Sequence, residues 1–279
     1  MRKKWFYYGL NEKVLFIKGS EILSFFQVAK EEKVATITLN RPPANALSNA
    51  VLNELDQIIT ELEVDPDVHV ILLHGEGRFF AAGADIKEFT DVESGTEFVK
   101  IARTGQQLFD RMEQFPKPII AAIHGAALGG GLELAMACHI RLATEEAKLG
   151  LPELQLGLIP GFAGSQRLAR YVGTAKATEM LLTSDSITGR EAKELGLVNQ
   201  VYTDEHLIEE AYAIAKKIAA KSTVTTKMVL ELMRFTDPVK HEEGSRKEAE
   251  LFGLAFDSAD GKEGIQAFIE KRSPNFKNC

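Results

Sequence analysis

Gly125-Ala-Ala-Leu-Gly-Gly-Gly-Leu-Glu-Leu-Ala135 lies between two apolar runs, Pro118-Ile-Ile-Ala-Ala-Ile123 and His139-Ile-Arg-Leu-Ala143. Consecutive glycines weaken a helix interior but suit its first turn. There, free N–H groups and the positive end of the helix dipole face an anion or a developing oxyanion. The stretch therefore reads as a helix opening at Gly129-Gly130-Gly131 and running through Met136, with a strand on either side. Glu133 falls in that first turn among Leu132, Leu134, Ala135 and Met136. A carboxylate with such neighbours finds a partner, stays protonated, or does work that needs a raised pKa. A glutamate merely favoured by the dipole explains it equally well.

Toward the N-terminus the alternation of strand and helix continues. Phe25 opens a strand, Lys30-Glu31-Glu32-Lys33 a charged turn, and Val34 to Leu39 a second strand, which together signal a hairpin. A helix from about Ser48 carries Val51, Leu55, Ile58, Ile59 and Leu62 at the helical period and stops at Asp65-Pro66. A buried strand, Val68 to Leu73, then leads into a Gly/Ala-rich loop from Gly75 to Asp85 and a polar helix around Thr96 to Met112. Residues 1–23 fit no period and read as an N-terminal extension, disordered or an artefact of the chosen start codon.

Toward the C-terminus, helices resume near Gly164, and Thr188-Gly-Arg-Glu191 has the hydroxyl-to-carboxylate spacing of a capping box. After the strand Val198 to Tyr202 only helical periods remain, from about Leu207, Val224, Arg246 and Glu263. An α/β core over 24–204 followed by a helical part over 205–279 is the expected organisation.

The composition excludes several classes. In 279 residues, 45% are hydrophobic and 26% charged, and 33 basic against 40 acidic side chains leave −7. That is a globular composition without the basic footprint of a general nucleic-acid binder. No run reaches the ~18 apolar residues of a membrane span, and the N-terminus makes a poor signal peptide. Cys138 and Cys279 read as reduced thiols in a reducing, cytoplasmic compartment. The six histidines show no ligand spacing and no metal site is expected. Dinucleotide, phosphate-loop, paired-cysteine and nucleophile-elbow motifs are absent.

Two further segments carry chemistry. In Phe79-Phe-Ala-Ala-Gly-Ala-Asp-Ile86, small residues between a strand and a helix allow a close approach to the backbone. In Gly150-Leu-Pro-Glu-Leu-Gln-Leu-Gly157, Pro152 is expected to hold the chain extended, which takes Glu153 off the Glu133 helix but allows both carboxylates to face one site. Two glutamates there suit acid and base roles on a water.

Ala82-Gly-Ala-Asp-Ile86, the Gly125 to Ala135 stretch, and Leu151 to Gly161 with Gly164-Ser-Gln-Arg-Leu168, in this order and spacing, resemble the crotonase superfamily, in particular enoyl-CoA hydratases. The match runs from about Val34 to the end of the chain. It implies a crotonase-like spiral of ββα units with a C-terminal helical oligomerisation part, building a homotrimer or a hexamer of two trimers. By the same resemblance, the backbone N–H groups of Ala84 and Gly130 form the oxyanion hole for a thioester oxygen. Glu133 activates the water and Glu153 delivers a proton. Ala82 and Ile86 line the adenine end of coenzyme A, Gly161 lies near the water, and Phe252 and Lys271 reach the nucleotide across a subunit boundary. Coenzyme A enters as part of an acyl-CoA substrate, with no other cofactor.

His139, where the family usually has Asp, and Phe162, where a small residue is frequent, depart from the pattern. The pair of glutamates favours reversible syn hydration of a trans-2-enoyl-CoA, in fatty-acid or branched-chain breakdown. An enoyl-CoA isomerase, a hydratase of a specialised acyl-CoA, and a non-catalytic RNA- or partner-binding relative are the alternatives.

Overall fold

The computed structural model describes residues 24–90 and 92–278. The extension read at residues 1–23 lies outside them, as does Cys279.

Strands β1 (Phe26–Glu31) and β2 (Val34–Leu39) form the expected antiparallel hairpin. Its turn residues Glu32 and Lys33 both adopt positive φ, the backbone a tight hairpin turn requires. Helix α1 (Asn49–Val64) starts at Ser48, whose side chain accepts from Val51 N–H, and ends at Asp65. All five of its anticipated core positions are buried. Strand β3 (Val70–Gly75) pairs in parallel with β2, and α2 (Ile86–Phe89) and α3 (Gly95–Glu113) follow.

The chain then runs through β4 (Ile119–Ile123), β5 (Ala126–Leu128), α4 (Gly130–Met136), β6 (Ile140–Thr144), β7 (Lys148–Gly150) and α5 (Gly164–Thr183). Next come β8 (Ile187–Thr188), α6 (Gly189–Glu194), β9 (Gln200–Tyr202), α7 (Leu207–Ala219), α8 (Thr223–Leu232), α9 (His241–Asp257) and α10 (Ala259–Glu270).

A six-stranded sheet has the order β1-β2-β3-β4-β6-β9, parallel except at the β1 edge. A second sheet, β5-β7-β8, was not legible as separate strands, because its members are two or three residues long. The pattern strand of the large sheet, strand of the small sheet, helix recurs in β4-β5-α4 and in β6-β7-α5, the ββα spiral that the resemblance implies. After β3 the small-sheet strand is replaced by a single bridge, Ala81 to Ala127, which lays the Gly/Ala loop beside β5.

The large sheet is buried on both faces, and its strands alternate with period two. Ile71, Leu73, Ile119, Ala121 and Ile123 face the main core with α1, α3 and α4. Val70, Leu72, Ile120, Ala122 and Leu142 face Leu207, Ala211, Ala215 and Ala219 of α7, where alanines four apart let the helix lie close to the sheet. Helix α7 thus closes the α/β core, although its sequence falls in the helical part read at 205–279. The helical assembly proper is α8 to α10, which pack on one another.

Candidate active site

The Gly/Ala loop, α4 and the turn after β7 converge on one cleft of about 170 Å³. Ala82, Ala84, Ile86, Gly130, Glu133, Glu153 and Gly161 all line it. Phe252 and Lys271 do not. Phe252 is 77% exposed on α9, and Lys271 is the exposed residue closing α10, so one protomer does not bring them to the other seven.

Two backbone N–H groups meet in this cleft. Leu47 bridges Ala84 in parallel fashion: its N–H donates to Gly83 O and its carbonyl accepts from Asp85 N–H, each at 2.8–3.0 Å. Both bonds use the neighbours of Ala84, so the N–H of Ala84 itself points the other way. The ion pair of Arg41 with Asp85 holds this segment, and Asp85 also caps α2. Gly130 is the first residue of α4, where an N–H has no partner within the helix. A Cβ on Gly130 would lie 3.3 Å from Ala84 N, so only a small residue leaves the two donors room to share an acceptor. Gly129 before it has φ +49, a conformation that side chains rarely adopt, and a Cβ there would lie 3.1 Å from Glu153 Oε1.

Glu133 is 1% exposed. Its Oε1 accepts from Phe162 N–H at 2.8 Å and from Gly164 N–H at 2.7 Å, at the start of α5. These donors favour the carboxylate, but burial and the nearby Glu153 outweigh them and push Glu133 up to about 7. The loop presenting the donors is clamped from behind. Gln106 Nε2 donates to Gly161 O at 2.9 Å, and Arg167, itself 1% exposed, donates to Phe162 O at 2.7 Å while pairing with Asp110 and Glu113 of α3. Ala163 turns the chain with φ +67, so both N–H groups aim inward.

Glu153 opens a 3-10 turn, Glu153–Leu156, and Pro152 before it has φ −87 and ψ 18. Pro152 is therefore not extended as expected; the turn itself swings Glu153 into the cleft. Glu153 Oε2 is buried without a hydrogen-bond partner among the described residues. Burial raises its pKa, so this carboxyl keeps a proton more readily than an ordinary glutamate.

Sequence reasoning gave no role to Arg167 or Gln106. The available signal was an arginine on the apolar side of α5, three residues after Gly164 and next to Leu168. Of the two departures from the family pattern, His139 serves the fold. Its Nδ1 accepts from Ile119 N–H at 3.0 Å, and burial and Arg141 hold it neutral, down to about 4. Phe162 is buried at the inner end of the cleft. Among the described residues no group of three or more His, Cys, Asp or Glu is placed to hold a metal ion, and no helix is long and apolar enough to cross a membrane.

Comparisons with known proteins agree with this geometry. The chain is 57% identical over 257 residues to a probable enoyl-CoA hydratase of Bacillus subtilis, covering 91% of this chain and 99% of that protein. It also resembles the solved structure of an enoyl-CoA hydratase from Bacillus anthracis, with TM-score 0.87 and 37% identity over 92% of this chain and all (100%) of the other. Pseudomonas aeruginosa DspI superposes with TM-score 0.88 at 35% identity, covering 93% of this chain and 99% of that one. The family model for enoyl-CoA hydratase/isomerase matches residues 29–279, the whole spiral and the helices that follow it. With both amides and both glutamates in one cleft of that framework, the chain belongs to the enoyl-CoA hydratase/isomerase family.

Proposed function

We propose that the protein is an enoyl-CoA hydratase, adding water reversibly and syn to a trans-2-enoyl-CoA to give a 3-hydroxyacyl-CoA. The observation that carries this reading is the pair of carboxyls, Glu133 buried and Glu153 half-buried, both with raised pKa, in the cleft that holds the two free amides. The N–H groups of Ala84 and Gly130 receive the thioester oxygen as it gains negative charge. A donor of this kind is typically worth about 2.7–4 kcal/mol of transition-state stabilisation. Glu133, unprotonated, takes a proton from water as the water oxygen bonds to Cβ. Glu153, protonated, gives its proton to Cα. The two glutamates exchange protonation states, and a proton transfer between them or through solvent restores the starting form.

Ala82 and Ile86, at the mouth of the cleft, suit the adenine end of coenzyme A. Phe252 and Lys271 are read as completing that site from a neighbouring subunit. Exposed Phe252, Phe268 and Ile269 on α9 and α10 form the apolar surface that such a homotrimer, or a hexamer of two trimers, would bury. The reaction draws on water and the chain's own carboxyls and amides, with no further cofactor, and the reduced thiol Cys138 fits a cytoplasmic setting.

The test is loss of the conjugated thioester absorbance of crotonyl-CoA, with wild type beside Glu153→Gln. Loss in wild type and a fall of about 10²–10⁴-fold in the variant, with acyl-CoA binding retained, is expected. A variant as fast as wild type would sink the role of Glu153, and an inactive wild type would sink hydration.

A further inference from the structure

Helix α3 turns one continuous stripe toward the cleft. Phe98, Ile101 and Ala102 line it, and Gly105 and Phe109 continue the same face at helical spacing. Gly105 and Phe109 do not reach the cavity, because the Phe162 ring lies over them. A Cβ on Gly105 would run into that ring, and Phe109 meets it edge-on with centroids 5.4 Å apart at 80°. The far edge of the ring reaches back to the oxyanion glycine, 3.3 Å from where a Cβ of Gly130 would stand. The ring therefore fills the space between the thioester position and the inner half of the α3 stripe. The cleft that remains, lined from Ala82 and Ile86 to Phe162, ends at the ring instead of running on over Gly105.

Resting on the hydration reading above, we infer that Phe162 is a specificity-determining residue that ends the acyl site and restricts the enzyme to short-chain enoyl thioesters. A chain held at Ala84 and Gly130 and passing Glu133 meets the ring soon after Cβ. Without the ring the cleft continues along α3 over Gly105 toward Phe109, an apolar path suited to further methylenes. The backbone N–H of Phe162 still serves Glu133 in any variant except proline, so the side chain can be tested apart from the base.

The experiment compares kcat/KM for crotonyl-CoA and trans-2-octenoyl-CoA in wild type, Phe162→Ala and Phe162→Leu. Calorimetric affinities for butyryl-CoA and octanoyl-CoA are measured alongside. Wild type should favour the short member in both assays. Phe162→Ala should raise the long-to-short ratio by about tenfold or more, the worth of seating roughly two of the four methylenes by which the chains differ, with Phe162→Leu between. An unchanged ratio in a folded variant overturns the inference. Should wild type hydrate nothing while the binding ratio still shifts, hydration fails and the role of Phe162 stands. Gly105→Ala supplies an independent arm. It should lower the melting temperature when Phe162 is present and be tolerated beside Phe162→Ala; equal effects in both backgrounds also refute the packing on which the inference rests.

Discussion

Replacing Gly164 by alanine puts one methyl against Glu133, the proposed base. The new Cβ would lie 2.7 Å from both Cγ and Oε1 of Glu133 and 3.0 Å from Cδ, whereas ordinary contact begins near 3.4 Å. The carboxylate or the start of α5 must give by about 0.7 Å, the difference of those two distances. Neither is free to do so: Glu133 is buried, and Arg167 and the Phe162 N–H hold the loop. Overpacking of this kind costs roughly 1–3 kcal/mol of stability. A displacement approaching 1 Å at a reacting group costs on the order of 10²-fold in rate. Steady-state kinetics with crotonyl-CoA and denaturant unfolding should therefore show kcat down by about 10²-fold, together with that loss of stability. Gly161→Ala, three residues earlier, meets nothing within 4 Å, so its unfolding midpoint should match wild type and separate loss of a glycine from the clash. A folded Gly164→Ala protein with wild-type kcat would refute the claim that these contacts fix the base.

Four further outcomes follow from the same geometry. Because the proposed role needs Glu133 unprotonated and its pKa is pushed up to about 7, kcat/KM should fall about tenfold per pH unit below that value. The same raised pKa favours the folded state only while Glu133 is protonated. This contribution is complete below the ordinary 4.5 and lost as pH rises through about 7, a difference of about 3 kcal/mol. Glu133→Gln should remove this contribution from the difference between unfolding curves at about pH 5 and about pH 8, leaving those of Glu153 and His139, and a mutant with the wild-type pH dependence would contradict the assignment. Arg167→Met leaves the buried Phe162 carbonyl unpaired, at a cost of about 1–3 kcal/mol, whereas Asp110 is exposed and Glu113 keeps Arg170. Its kcat should fall more than its KM rises, with partial recovery in Arg167→Lys; a change in stability alone would reduce Arg167 to a structural role. Burial pushes the Cys138 thiol up to about 12, so thiol reagents at neutral pH should spare it until the protein unfolds, as mass mapping of labelled peptides would show.

What could be read along the chain is what local physics governs. The hairpin turn, the helix start at about Ser48, the Thr188 capping box and the apolar period of α1 all act over a few residues, and each appears where its pattern lies. Ala84, Gly130, Glu133 and Glu153 stood out through the family resemblance, because neighbours alone left Glu133 equally well explained by the helix dipole. The sheet β5-β7-β8 was not legible, since strands of two or three residues have no period and are stabilised only by partners distant in sequence. The same holds for α7, whose alanine face is that of a core helix only once the sheet stands opposite.

Residue types and order alone determined the strand and helix alternation and the family, and offered Glu133 and Glu153 as the candidate acids. Tertiary structure alone decided their chemistry. The free direction of the Ala84 N–H is set by a bridge to Leu47, the proton affinity of Glu133 by burial and by Glu153, and the inner limit of the cleft by Phe162 against Gly105. Each depends on distances between segments far apart in the chain, and desolvation and steric contact act through space rather than along the backbone.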